Sequence, residues 1–435
     1  MSNLCPYFIL PEQKAALSQR LAPRRSSLDI GDLEQVLAVF DEVFQRGDRA
    51  VITATREYDR VGLSQVAVDP CHVAAAVEQL PPELRHAIEI ALRHIREVNE
   101  GLMPTDSERV PRLGTRVGER YRPLDSVAVY VPTRKGPLIS TALMLIGAAR
   151  VAGVQRIAMV APPLASGGWE PQSFAAGMIA GATEFYVGNG VALIAALCRG
   201  TESIRSVDGI VGPGPAGVAA AMGIAGCLGK RTAPGLGPTD CAILADETAH
   251  PINVALDLLA EAEHGKDSTS LLVTPCGELA GAVLSELERQ IVGLPAARRE
   301  VVEHVFGPAG QGALVVASWE AAIELLNDFA PEHLMLVGPC AESHVGEIRH
   351  AGEVLLGACS PFAAANYAIG VTAVLPTNGV ARSCSAVTAR DFLRLSTTAS
   401  LDAAALQALG PTIVALAAAE GLPCHSNAVT RRLVS

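Results

Sequence analysis

Apolar residues recur at three- and four-residue intervals from Leu33 to Arg46 and from Pro82 to Asn99, with charged residues between them. That spacing lays one apolar stripe along a helix, so residues 1 to about 125 read as mainly helical. The pattern then changes. Short apolar runs at Val127–Val131, Ile157–Ala161, Glu184–Val187, Gly209–Val211 and Ala242–Leu244 read as strands. Between them, Leu138–Val151, Val191–Cys198 and Gly217–Cys227 are Ala- and Leu-rich segments of helical length. Strands separated by helices rather than by tight turns predict parallel βαβ units.

A second set follows. It comprises a helix at Ile252–His264, a strand at Leu271–Thr274, a helix at Leu279–Val292 and a strand at Leu314–Ala317. A helix at Trp319–Asn327 and a strand at Leu334–Val337 close the set. From about Arg390 the pattern is helical again, ending in Thr412–Glu420 and a polar tail. Two comparable blocks predict an α/β fold with two Rossmann-like, incomplete and duplicated parallel-sheet domains and helical N-terminal and C-terminal extensions. No internal sequence repeat accompanies them. The expected division puts residues 1–24 and 106–126 in a helical extension, and residues 391–435 in a C-terminal helical tail. Residues 25–105 and 239–390 form the first Rossmann-like domain, and residues 127–238 the second.

Composition narrows the class. A chain of 435 residues has room for more than one core. The 34 basic residues against 45 acidic give −11 and, with no Lys/Arg block, argue against a nucleic-acid surface. No apolar run approaches the roughly 20 residues that a membrane-spanning helix requires. The N-terminal Met1-Ser-Asn-Leu-Cys-Pro lacks a basic region followed by an apolar core, so a cytoplasmic location is expected. The ten cysteines show no Cys-x-x-Cys and read as reduced thiols, with Cys359 and Cys424 as small buried packing residues.

Two pairs of residues carry candidate chemistry. Glu261 and His264 lie three apart on a predicted helix and share one face, a way of presenting two metal ligands. By spacing alone the pair reads more readily as a solvated helix end with an incidental His, because two-residue matches arise by chance. Glu332 and His333 set a carboxylate beside an imidazole where a helix gives way to a strand. An isolated pair of this kind is a surface Glu next to a packed His.

The surroundings of both pairs add to this. Asn327-Asp-Phe-Ala-Pro-Glu332-His333-Leu resembles the catalytic signature of the histidinol dehydrogenase family. Ala262-Glu-His264-Gly, Asp267-Ser268 and Leu271–Thr274 look like that family's first zinc segment. Ser360-Pro361, Asn366-Tyr367 and Val374-Leu-Pro-Thr377 look like the second, and Cys424-His425-Ser-Asn-Ala-Val429 like the last. The resemblance runs from about residue 30 to the end. It implies an acid–base pair, Glu332 and His333, acting on a small-molecule alcohol. It implies one zinc per subunit on Glu261, His264, Asn366 and His425, and NAD or NADP contacted by Tyr130. Substrate contacts would come from Thr239, Glu261, His264, His333, Asn366, Glu420 and His425. The resemblance also implies a homodimer in which the C-terminal segment, with Glu420 and His425, reaches the partner's site; neither membrane nor nucleic acid is a partner.

The chain departs from the family at several of these positions. Glu261 stands where the family has Gln and Asn366 where it has Asp, so the ligand set keeps one negative charge and two imidazoles, which suits zinc. On the nucleotide side, Ala192 and Pro215 replace a Gln and an Asn, and Pro215 also lacks a backbone donor. Thr133-Arg134-Lys135-Gly136 replaces a Gly-Gly entry, and its two cations read equally as phosphate ligands or solvated loop charges. No Gly-x-Gly-x-x-Gly motif is present. Phe362 and Ala373 replace a Glu and a His that hold the substrate. The expectation is therefore a zinc- and NAD(P)-dependent alcohol dehydrogenase, divergent enough that histidinol is not its preferred substrate. The alternatives are a true L-histidinol dehydrogenase and a non-catalytic binding homologue.

Overall fold

The computed structural model describes residues 5–22, 30–233 and 237–434. The chain divides into two compact units: Met1–Leu102 with Asp125–Phe392, and Met103–Leu124 with Leu393–Ser435.

The first unit contains two sheets, each entirely parallel. One runs in spatial order β6 (Glu184–Val187), β5 (Arg156–Ala161), β4 (Ser126–Tyr130), β7 (Gly209–Val211) and β8 (Arg231–Thr232). The other runs β1 (Tyr7–Ile9), β11 (Ala313–Val316), β10 (Thr269–Thr274), β9 (Asp240–Ala245), β12 (His333–Val337) and β13 (Glu353–Leu356). Every residue of β4, β9, β10 and β12 is buried. Such strands are covered on both faces and read as continuous apolar runs, with no period-two alternation. In each sheet the strand that comes first among the central ones lies at a reversal of order, between β4 and β7 and between β9 and β12.

The N-terminal segments pack differently from the expected division. Val36, Phe40, Val43 and Val51 share one core with Ala128, Ala158, Leu193 and Ile210 of the five-stranded sheet and its helices. Leu92 and Ile95 lie against Gly147, in the helix Ile139–Ala152 that follows β4. Residues 30–102 thus accompany 127–238 rather than 239–390. Cys5, Phe8 and Leu17, assigned to a separate extension, instead join the core of the six-stranded sheet, with Phe8 and Leu17 against Leu244, Val273 and Val315. Helical periodicity shows that a segment has an apolar face but not which sheet that face will cover.

Asp246, just past the carboxyl end of β9, ties this sheet together. Its side chain accepts hydrogen bonds from Thr248 N (2.9 Å) and Oγ1 (2.6 Å), Cys340 N (2.8 Å) and Ala341 N (3.4 Å). Gly338 (φ 103°) permits the approach, since a Cβ there would sit 2.0 Å from Asp246 Oδ1. Burial pushes the carboxyl pKa up, but these donors outweigh it and hold the group below its ordinary value. A depressed folded pKa means that the carboxylate stabilises the fold fully above its unfolded value of about 4, and that this is lost as pH falls through the folded value. Asp246→Ala is expected to cost about 2–4 kcal/mol in denaturant unfolding at neutral pH, with the difference from wild type shrinking below about pH 4. A pH-independent difference would be inconsistent with this account.

The second unit is built on a three-stranded antiparallel sheet in the order β14 (Leu393–Leu401), β3 (Thr115–Pro123) and β2 (Ser107–Arg112). Two helices follow, Ala403–Ala419 and Pro423–Val434. The helical extension expected at residues 106–126 is therefore a β-hairpin, and the tail of residues 391–435 begins with a strand. β3 pairs along its whole length with β14, from Thr115 opposite Leu401 to Pro123 opposite Leu393. Such a pairing partner is distant in sequence and leaves no local trace. Among the described residues, no helix is long and apolar enough to cross a membrane.

Candidate active site

The helix Trp319–Phe329 begins at Ser318, whose Oγ accepts from Ala321 N at 3.4 Å. It ends where Ala330 turns into the left-handed region (φ 48°). Pro331 cannot continue a helix, and β12 begins two residues later. Parallel pairing sets His333 beside Cys241 at the start of β9 and Glu353 at the start of β13. Glu332 N donates to Asp240 Oδ1 (2.7 Å) while Asp240 N donates to Glu332 Oε2 (3.1 Å). Asn378 N donates to the other Asp240 oxygen at 2.6 Å. The candidate site therefore lies at the amino ends of three adjacent strands.

The buried His333 ring has two distinct sides. Its Nδ1 lies 2.5 Å from Glu353 Oε1, whereas Nε2 lies 3.7 Å from Glu332 Oε1 and 4.0 Å from Glu261 Oε2. The Phe362 ring meets it edge-on at a centroid distance of 5.7 Å.

Glu261 comes from the helix Pro251–Ala262, which Pro251 starts favourably at the first helical position. Its side chain is fully buried in the last turn, at the negative end of the helix dipole. Asn366 Nδ2 donates to Glu261 Oε1 at 2.9 Å, and Oε2 has no hydrogen-bond partner. His264 Nδ1 lies 3.5 Å from that oxygen.

The charges are unbalanced. Burial, together with Asp240 and Glu261, raises the Glu332 pKa well above the usual carboxylate range against the pull of His333. Burial favours the neutral His333 ring, yet Glu332, Glu261 and Glu353 overcome it and push the imidazole up to about 10. One turn before Glu261, burial pushes Asp257 up to about 6; the Phe362 N–H lowers it and Glu261 raises it. A buried cluster so rich in carboxyl groups favours an added cation. The donor types also fit zinc: an orphaned carboxylate oxygen, an imidazole beside it, and an amide oxygen on Asn366. Among the described residues no three His, Cys, Asp or Glu side chains converge to hold a metal by themselves. A metal held there would need the amide and a further ligand.

Glu261, His264, Glu332, His333 and Asn366, distant in sequence, thus meet in one place. Thr239 immediately precedes β9, and its carbonyl accepts from Thr269 N at 3.0 Å. Glu420 and His425 belong to the second unit, where both are exposed, at the end of one helix and in the first turn of the next. Cys359 and Cys424, expected to be buried, are exposed. The sequence reading missed Asp240, Asp257 and Glu353. Only strand register could have revealed Glu353, because it lies 20 residues from its partner.

Tyr130 ends β4, at the carboxyl edge of the five-stranded sheet beside the reversal of strand order. Its ring is buried between Gly190 and Gly214, where a Cβ would come within 2.8 Å of the hydroxyl and 3.3 Å of the ring. Arg134, in the loop that follows, pairs with Asp59, to which Asn189 Nδ2 also donates at 2.9 Å. Its charge therefore anchors the loop. The side chain of Lys135 lies outside the described residues. Ala192 N bonds to Asn189 Oδ1 at 3.2 Å, and Pro215 caps the helix Ala216–Cys227 without a side-chain hydrogen bond.

The sequence profile of the family described as Histidinol dehydrogenase matches residues 24–433. A histidinol dehydrogenase of Synechocystis sp. is 40% identical, covering 94% of this chain and 95% of its own. Another from Halalkalibacterium halodurans is 36% identical, covering 94% of this chain and 96% of its own. The crystal structure of histidinol dehydrogenase from Elizabethkingia anophelis is 32% identical and superposes with a TM-score of 0.92, covering 100% of this chain and 99% of the other. Relatives so named along nearly the whole chain overturn the expectation, drawn from Phe362 and Ala373, of a dehydrogenase with a different preferred substrate. The structure supplies a physical reason. Phe362 is fully buried and packs against the His333 ring, so it is part of the core behind the imidazole and is a poor guide to selectivity. With profile, relatives and three-dimensional structure in agreement, this chain is an oxidoreductase of the histidinol dehydrogenase family.

Proposed function

We propose that this protein is an L-histidinol dehydrogenase that takes the alcohol through the aldehyde to the acid with NAD as oxidant, as a cytoplasmic homodimer. The observation that carries the reading is the convergence of His333 Nε2 with Glu332 Oε1 and Glu261 Oε2, at 3.7 and 4.0 Å. In the first oxidation, with the carboxyl charge around it offset by a bound cation, His333 is neutral and takes the hydroxyl proton at Nε2 while hydride leaves the substrate carbon. In the second, Glu332, whose pKa is pulled down by the charged His333 beside it, removes a proton from the water that adds to the aldehyde, and a second hydride leaves. Burial supports both roles, since it keeps bulk water from competing for the proton.

Zinc would be held by Glu261, His264, Asn366 and His425, and when bound it supplies a Lewis acid that orients and polarises the substrate. NAD would bind at the Tyr130 end of β4 and, when bound, supplies the hydride acceptor. Thr239 and Glu420 would contact the substrate, with Glu420 and His425 coming from the partner subunit. Purified protein supplied with zinc should reduce two equivalents of NAD per L-histidinol consumed and release the amino acid. No NADH from histidinol, under conditions where zinc and NAD both bind, would refute this function and leave a binding role.

A further inference from the structure

Glu353 belongs to no motif, yet it makes the shortest contact of His333, 2.5 Å from Glu353 Oε1 to Nδ1. The contact follows from the fold: His333 and Glu353 are the opposed first residues of β12 and β13, and in a parallel ladder opposed side chains project to the same face. The Glu353 side chain is only 10% exposed, its second oxygen is buried without a hydrogen-bond partner, and among the described residues no Lys or Arg pairs with it. A buried ion pair is weak evidence for stability, because the cost of desolvating both groups offsets their attraction. What this contact does accomplish is to fix a ring. Phe362 packs against that ring edge-on, and Nε2 is left facing Glu332 and Glu261.

We propose that Glu353 is a positioning residue: its carboxylate holds the Nδ1–H of His333, so that proton exchange with the substrate is confined to Nε2. Nδ1 keeps its hydrogen whether or not Nε2 carries one, so the imidazole exchanges a proton without rotating or changing tautomer. A carboxylate behind an imidazole performs this service in other acid–base sites and at metal-bound histidines. The kinetic consequence rests on the histidinol dehydrogenase reading above; the orientation of the ring does not.

The test compares Glu353→Met, Glu353→Gln and Glu353→Asp in the zinc-loaded protein, with the fold checked by circular dichroism. Glu353→Met is expected to lower kcat on histidinol about 10–100-fold with KM within about threefold. Glu353→Gln, whose amide oxygen still accepts from Nδ1–H, should recover most of that loss, and Glu353→Asp should fall between them. The second readout is the pair of His333 ring nitrogen resonances in protein labelled with 15N-histidine, assigned with His333→Gln. Wild type should show a protonated, hydrogen-bonded Nδ1, and Glu353→Met should lose that signature. Wild-type kcat in Glu353→Met would overturn the proposal, and so would a lowered kcat with unchanged His333 resonances. If wild type does not oxidise histidinol, the functional reading fails by itself, and the resonances still decide whether Glu353 orients the ring.

Discussion

Replacing His333 with Gln should lower kcat on histidinol by about 10²–10⁴-fold, equivalent to about 3–5 kcal/mol of transition-state stabilisation. Gln is chosen because its amide can still donate toward Glu353 while having no basic nitrogen to offer the alcohol. The buried Glu353 oxygen that now faces Nδ1 at 2.5 Å is then not left wholly orphaned, and the fold should survive. On the proposed reading the imidazole acts in proton transfer, so KM and zinc content should change by less than about threefold while kcat collapses. Steady-state kinetics with metal analysis of the same preparation separates the possibilities. Loss of zinc with loss of activity would move His333 from proton transfer to site assembly. Retention of more than a tenth of wild-type kcat would remove it from the chemistry.

The second large effect concerns Glu261 and has opposite signs with and without metal. Without metal, Glu261 is a fully buried carboxylate with one oxygen unsatisfied, set in the last turn of a helix whose dipole repels it. Glu332 and Asp257 share its neighbourhood, and the nearest imidazole nitrogens stand at 3.5 and 4.0 Å, beyond hydrogen-bond range. Glu261→Gln keeps the acceptor for Asn366 Nδ2, removes one of the crowded carboxyl groups and puts a donor in place of the unsatisfied oxygen. The metal-free variant should therefore be more stable than metal-free wild type by about 1–3 kcal/mol in denaturant unfolding. On the proposed reading its zinc affinity should fall by about tenfold, since a neutral amide oxygen is a weaker zinc ligand than a carboxylate and, with Asn366, would leave the ligand set without a negative charge. Zinc should then stabilise wild type more than the variant, as linkage requires of a ligand that binds only the folded state. A destabilised metal-free variant with undiminished zinc affinity would show that Glu261 is a structural acceptor for Asn366 and no ligand.

Much of the fold could be read from the chain because its strands are buried on both faces. β6 and β7 fall on the expected residues, and β4, β5, β9, β10, β11 and β12 lie within one or two residues of them, as continuous apolar runs between Ala- and Leu-rich helices. The edges were not readable in the same way. β1, β8 and β13 are short and owe their existence to a neighbouring strand, and β2 and β3 form a sheet only by pairing with β14 from the other end of the chain. Local pattern carries the propensity of a segment, whereas a ladder depends on the partner that supplies its hydrogen bonds.

The site divides along the same line. Residue types and motif spacing singled out Glu261, His264, Glu332, His333 and Asn366, and the fold brings those five side chains together. The same motifs also determined the family. Tertiary structure alone decided that Glu353 stands behind His333, that Asp240 exchanges hydrogen bonds with Glu332, that Arg134 is committed to Asp59, and that Phe362 lies buried against the imidazole. Each of these depends on strand register or on which face a side chain takes in a packed core. Such through-space relations are set by the summed burial of the whole unit, and no stretch of sequence contains both partners.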